Sequence, residues 1–309
     1  MADTYKNRKN GLIELLRFIC SVWVVYYHGF FPILSDKFDG VNVSVDLFFI
    51  ISGFYFLRSI EKYRESPFHE GVCFITWGRI RKFVVPFAIA AASILLCNIT
   101  IELDWGGFNW PLSFLWFFAV QFGCLTLYYL LLKLIRRRFV FNIICGIIIC
   151  IFMSMFKLGI FALNIPFRGP AMLALGMLIS QIPKIRTESD NKKAQGLCLA
   201  LNVVGFALSF IGFIYLAYLP GFYIWKLHLL CLIVCPSLVY FATAIPVYSK
   251  LLNLLGEFSI YIYLAQCPIL FHYYLVNKDS KAQFLPLCVC ILIMFALNRF
   301  VNRKRVKAR

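Results

Sequence analysis

Residues 11–34 read GLIELLRFICSVWVVYYHGFFPIL, and this stretch decides how the whole chain is to be understood. It is apolar and long enough to cross a bilayer, which takes about 20 helical residues. Yet it holds Glu14, Arg17 and His28. Ionisable groups within a membrane span are costly and mark a functional path by default. At about 1.5 Å per residue, Arg17 and His28 stand roughly 16 Å apart, half the hydrocarbon core. Eleven steps of about 100° return the helix to within about 20° of its starting azimuth, so both side chains project from one face. The span therefore carries a polar stripe, with a cation near one surface and an imidazole deeper in.

Working outward, the remainder of the 309 residues has the same character. Hydrophobic residues make up 61% and the mean hydropathy is +0.80, against about 45 to 50% apolar content in soluble domains. Apolar runs fall at 11–34, 42–58, 84–101, 110–132, 139–155, 169–183, 197–218, 227–247, 258–276 and 284–302. Read as spans, they make the chain an all-α, polytopic transmembrane helical bundle of about ten helices. The longest connection is 59–83, so residues 1–309 are expected to form one integral-membrane domain with no appended soluble domain. The N-terminal MADTYKNRKN has the look of a signal-peptide leader. The stretch after it is too long, too polar at Arg17 and His28, and lacks a small-residue cleavage site, so it is expected to remain as the first span.

Charge gives the orientation. With the N-terminus inside, 24 of the 31 basic residues fall in cytoplasmic segments and six in outer ones, which by the positive-inside rule places both termini in the cytoplasm. The formal charge of +17 is spread as short clusters between apolar runs, so no nucleic-acid partner is expected. Eleven of the twelve cysteines lie in apolar runs and read as packing residues. The pairs Cys231/Cys235 and Cys288/Cys290 lack a second pair or a histidine at ligand spacing, and no metal site is expected.

Several residues are candidates for chemistry. In an antiparallel hairpin turning near residue 38, His28 lies level with about residue 48, which brings Asp46 within reach. A carboxylate on one imidazole nitrogen fixes the tautomer and raises the basicity of the other, as a general base requires. Ser52-Gly53 in the second span reads either as a close helix crossing or as the lining of a substrate slot. In Trp77-Gly-Arg-Ile-Arg-Lys82, Arg79 and Lys82 share a helix face and, with Arg81, suit phosphate oxygens; the plainer reading is positive-inside topology or a headgroup contact. Arg168 at the start of the sixth span is a snorkelling anchor or a substrate contact, and Glu257 opens the ninth span. His228 and His272 lie near outer span ends, and His69 is in a cytoplasmic loop.

These motifs resemble the integral-membrane acyltransferase-3 family, whose members O-acylate cell-surface and exported carbohydrates. Arg17-x10-His28 is similar to the family's first-helix signature. Asp46-Leu-Phe-Phe-Ile-Ile-Ser-Gly-Phe54 is similar to its second-helix motif, and Arg79-Ile-Arg-Lys82 with Pro86 to its Arg-x-x-Arg element. Arg168 to Met177 and Gly256 to Leu264 resemble its sixth-helix entry and its late Gly-x-x-Ser-x-x-Tyr-Leu segment. Lys82 stands where the pattern has a second arginine, and Ala265-Gln266 where many members carry a histidine, so no histidine role transfers there.

The resemblance implies an acyl-CoA donor, commonly acetyl-CoA, bound from the cytoplasm by Arg17, Arg79, Arg81 and Lys82. It further implies a carbohydrate or glycolipid acceptor, with Ser52, Arg168 and Glu257 on the substrate side and catalysis by His28 with Asp46. The expected location is a bacterial inner membrane, among lipids as the remaining partners. A transporter or flippase of glycan or lipid intermediates is the competing reading. Transporters are often built from internal repeats, and nothing in 155–309 echoes Arg-x10-His.

Overall fold

The structure, a computed structural model, describes residues 9–25, 40–80, 115–157, 164–185, 191–218, 225–272 and 288–300, with isolated positions from 84 to 92. Among these residues there are ten α-helices and no strands. They are α1 (Gly11–Val25), α2 (Gly40–Ile60), α3 (Phe68–Ile80), α4 (Leu115–Leu134), α5 (Arg138–Lys157), α6 (Asn164–Ile179), α7 (Lys192–Tyr218), α8 (Trp225–Ala244), α9 (Lys250–His272) and α10 (Cys288–Phe300). Runs such as Ile147-Ile-Ile-Cys-Ile-Phe152 are rich in β-branched and aromatic residues, which in water favour strands. In an apolar medium each backbone N–H and C=O must find its partner within the segment, and the helix wins. Four stretches are long and apolar enough to cross a membrane: Val43–Tyr63, Phe117–Leu134, Arg138–Met155 and Lys192–Tyr218. Arg168–Ile179, Leu229–Ala244 and Cys288–Phe300 are apolar but shorter. The third expected span, 84–101, lies almost wholly outside the described residues.

Two helix pairs dominate the packing: α1 with α9, and α2 with α6. Along the second pair Asp46 meets Arg168 and Arg58 meets Ser180, so the numbers rise together and the helices run parallel. Two glycines set their separation. A Cβ on Gly53 would overlap the Leu173 carbonyl, and one on Gly176 would overlap the Ile50 carbonyl. Of the two readings of Ser52-Gly53, the close crossing is therefore met by Gly53, where small residues let backbones touch. The α1–α9 pair is also parallel, with Gly11 on Leu252 and Glu14 on Gly256.

One end of the bundle gathers the starts of α1, α7 and α9 and the finishes of α2, α4, α6 and α8. Each start is capped by a side-chain oxygen, which accepts from backbone N–H groups that have no partner within the helix. Asn10 Oδ1 accepts from Leu12 and Ile13, Asn191 Oδ1 from Lys193, and Ser249 Oγ from Leu252. Asn10 also ties this end together, donating through Nδ2 to the carbonyls of Ala242 and Ile245 at 3.0 and 2.8 Å.

Three of the four finishes receive cations, as the negative pole of a helix favours. Arg58 donates to Ser180 O at the end of α6, Arg64 to Ile135 O and Arg136 O at the end of α4, and Lys184 to Thr243 O in the last turn of α8.

The sequence reading treats 59–83 as a connection, whereas residues 68–80 form α3. This helix lies against α4, with the Phe68 ring stacked on Tyr129 at 5.6 Å and Gly71 seated over the same ring. Its outer side exposes Cys73 and Trp77.

Candidate active site

Among the described residues, three sets of polar groups lie at three levels along α1 and α2. The first is at the capped end. Glu14, buried on α1, accepts from Arg17 Nη1 at 3.1 and 3.4 Å, as expected of side chains one helical turn apart. Its carboxylate lies where a Cβ of Gly256 would stand, so the glycine of the late motif makes room for the glutamate of the first. Glu257, next in sequence, faces the other way and pairs with Arg299 at 3.4 Å. Tyr55, on α2, lies within electrostatic reach of Glu14, Arg17, Arg58 and Tyr248.

The second set is the Ser52 level, where the hydroxyl accepts from Gln121 Nε2 of α4 at 2.8 Å.

The third set lies toward the start of α2. Asp46 is wholly buried and receives the Arg168 guanidinium on both oxygens, with Nη2 to Oδ2 at 2.7 Å and Nε to Oδ1 as the second arm. This is the bidentate geometry that guanidinium and carboxylate favour. Burying two charges costs several kcal/mol per ion, which only such a paired arrangement offsets. Thiols surround the pair. Cys231 and Cys235 on α8 lie within electrostatic reach of the pair, Cys235 also of Cys20, while Cys20 on α1 faces the buried Ser44 hydroxyl. Thr and Ser would bring stronger hydrogen-bonding groups here, whereas a thiol packs as a small hydrophobe and leaves the ion pair undisturbed.

The structure thus joins Asp46 to Arg168, two residues that the sequence suggested separately for catalysis and substrate. It separates them from Glu257, which belongs to the opposite end of α9. His28 lies outside the described residues, as do Arg81 and Lys82; the side chain of Arg79, in the last turn of α3, is likewise not described. Gln121 and Tyr55 are residues that sequence reasoning passed over, and Glu14, noted in the first span, is given no role there. Glu14 had a signal, since it is an acidic group within a span. Gln121 and Tyr55 had none, because amphipathic residues on apolar helices are usually packing.

The matched family decides the class of chemistry. The model of the acyltransferase domain family, acyltransferase 3, matches residues 10–305, nearly the whole chain. The chain belongs to this family. It is an acyltransferase, and with its apolar helices an integral membrane protein. No curated protein and no solved structure matches it. The match takes in both helix pairs described above, so the Asp46–Arg168 and Glu14–Gly256 contacts fall within the acyltransferase domain itself.

Proposed function

We propose that the protein transfers an acyl group, acetyl in the first instance, from cytoplasmic acyl-CoA to a hydroxyl of a cell-surface or exported carbohydrate. The observation that carries this reading is Arg17, whose guanidinium is only partly engaged among the described residues, at the capped end of the same helix that leads toward His28 in the sequence. That end also holds the cation-bearing helix finishes, and by the positive-inside rule it is the cytoplasmic one. About ten spans with both termini inside, in a bacterial inner membrane, complete the arrangement.

In this reading the CoA phosphates lie at Arg17, with Arg79, Arg81 and Lys82 contributing from the end of α3 and just beyond. The pantetheine rises along the α1 stripe and brings the thioester near His28. His28 accepts the proton of the acceptor hydroxyl as its oxygen attacks the thioester carbonyl. The tetrahedral intermediate collapses, the C–S bond breaks, and the thiolate takes the proton back to leave as CoA. Asp46 and Arg168, locked to each other, fix the α2–α6 wall of this path, and Ser52 contributes a hydroxyl to its lining. No metal enters any step.

The test is mass spectrometry of surface glycans from cells with and without the protein, coupled to release of free CoA thiol from acetyl-CoA in membranes. An acetyl increment that depends on the protein and disappears in His28→Ala, at unchanged expression, is the expected result. Undiminished acetylation by His28→Ala overturns the mechanism.

A further inference from the structure

Arg17 is held on one side and open on the other. Nη1 donates to both oxygens of Glu14, whereas Nε and Nη2 make no hydrogen bond among the described residues. The Nε–Nη2 edge is a fork that matches two oxygens of a phosphate. Which edge a guanidinium presents depends on what holds the other, and here the holder is itself confined. Glu14 is 6% exposed, and its carboxylate fills the notch left by the missing side chain of Gly256.

Across from it, on α2, Tyr55 is partly exposed and its hydroxyl makes no hydrogen bond among the described residues. It lies within electrostatic reach of Arg17, Arg58, Glu14 and Tyr248. Of the two arginines, Arg58 is already engaged by the Ser180 carbonyl and the Phe54 ring. Of these groups, the open edge of Arg17 and the Tyr55 hydroxyl are the ones left to receive an anion among the described residues.

We infer that Glu14, seated in the Gly256 notch, is the positioning residue that presents the Nε–Nη2 edge of Arg17, and that the Tyr55 hydroxyl completes with it a phosphate site for the CoA donor. The inference rests on the donor reading above and adds two residues to it. A phosphate on a lipid headgroup offers the same oxygens, so the experiment must separate the two sources.

The full-length protein, purified in phospholipid-free detergent, is titrated with CoA by calorimetry. Arg17→Ala is expected to weaken binding about 30-fold, Glu14→Gln about 10-fold and Tyr55→Phe about 3-fold, in line with charge-assisted and neutral hydrogen bonds. The double variant Arg17→Ala/Glu14→Gln should bind within about twofold of Arg17→Ala alone, because Glu14 acts through Arg17. A merely structural role for Glu14 predicts additive losses and overturns the inference. Should Glu14→Gln not yield folded protein, Glu14→Asp keeps the charge while withdrawing the carboxylate from Nη1, and the same double-variant comparison applies.

If Arg17→Ala weakens CoA while the Glu14 variants do not, the positioning role falls and the donor reading stands. If Arg17→Ala leaves CoA affinity unchanged, the donor reading falls with it. Vesicles of phosphatidylglycerol supply the second arm. If they displace CoA from the wild type, and Glu14→Gln alters lipid binding alone, the site belongs to the headgroup and the inference is overturned.

Discussion

Asp46 on α2 gives both carboxylate oxygens to one guanidinium, that of Arg168 on α6, 122 residues further along the chain. The contact joins two parallel helices through a pair of charges in a shell of apolar side chains and thiols, and it sets the first prediction. Arg168→Ala leaves Asp46 as an uncompensated buried carboxylate and should destabilise the protein by about 3 to 5 kcal/mol. Asp46→Leu with Arg168→Met should recover most of that loss, since an apolar pair of similar volume avoids the desolvation cost. Thermal unfolding in detergent reads both. If Arg168→Ala unfolds at the wild-type temperature, the pair has no part in stability.

Glycines at helix crossings and glycines facing open space should respond in opposite directions. At Gly53 and Gly176 the added methyl meets the backbone of the partner helix, which cannot rotate away. Alanine at either should cost about 1 to 3 kcal/mol, the usual range for overpacking. Gly123 and Gly146 have nothing within 4 Å of the added atom. Alanine there should stabilise by about 0.5 to 1 kcal/mol through helix propensity. The yield and melting temperature of the four single variants make the comparison.

Asn10 links helix capping to tertiary structure. Asn10→Ala removes the cap of α1 and the two bonds to the last turn of α8 and the residue that follows it at once. A loss of about 1 to 2 kcal/mol is expected for the cap. Asn10→Asp keeps the accepting oxygen but not the two donors, so it should recover part of the loss. Full recovery by Asn10→Asp would show the clamp to be idle.

Ser52 and Gln121 form a polar pair between α2 and α4. Ser52→Ala strips Gln121 of its acceptor, and a half-buried amide left unpaired costs about 1 to 3 kcal/mol. Ser52→Ala with Gln121→Leu should restore stability. If Ser52 lines the path of substrate, acyl transfer in that double variant stays low although the fold is recovered. Restored transfer would reduce Ser52 to a helix contact.

The all-helical nature of the chain was legible from its apolar runs, because a backbone in lipid has few ways to satisfy itself and the required length is set by the bilayer. The α1–α9 pairing was not. Nothing local in Glu14 or Gly256 announces that a carboxylate in one helix fills the gap of the other, 242 residues later, since complementarity of shape appears only once both are in place. A hairpin turning near residue 38 places Asp46 near residue 28 by depth alone. Depth is what periodicity and turn position give; it does not reveal the sixth helix, from which Arg168 reaches the same carboxylate, and residue 28 itself lies outside the described residues. The helix α3 escaped notice for another reason. It is a short segment with charges at its start and aromatic residues on more than one side, so neither span length nor a clean apolar stripe marked it.

The arginines and lysines that close the helix finishes also bear on how an anionic donor sees the protein. Arg58, Arg64 and Lys184 direct their charge into carbonyl oxygens, and Arg138 divides its own between Glu61 and Gln181. A census of positive residues therefore does not by itself say where an anion is gripped at this end of the bundle. Those four, among the described residues, spend their hydrogen-bonding edges on the protein's own helix ends and polar side chains, and an approaching polyphosphate is gripped by guanidinium edges that face outward instead. Discrimination between a coenzyme and any other soluble anion then depends on where those edges point, more than on how many cations the sequence contains.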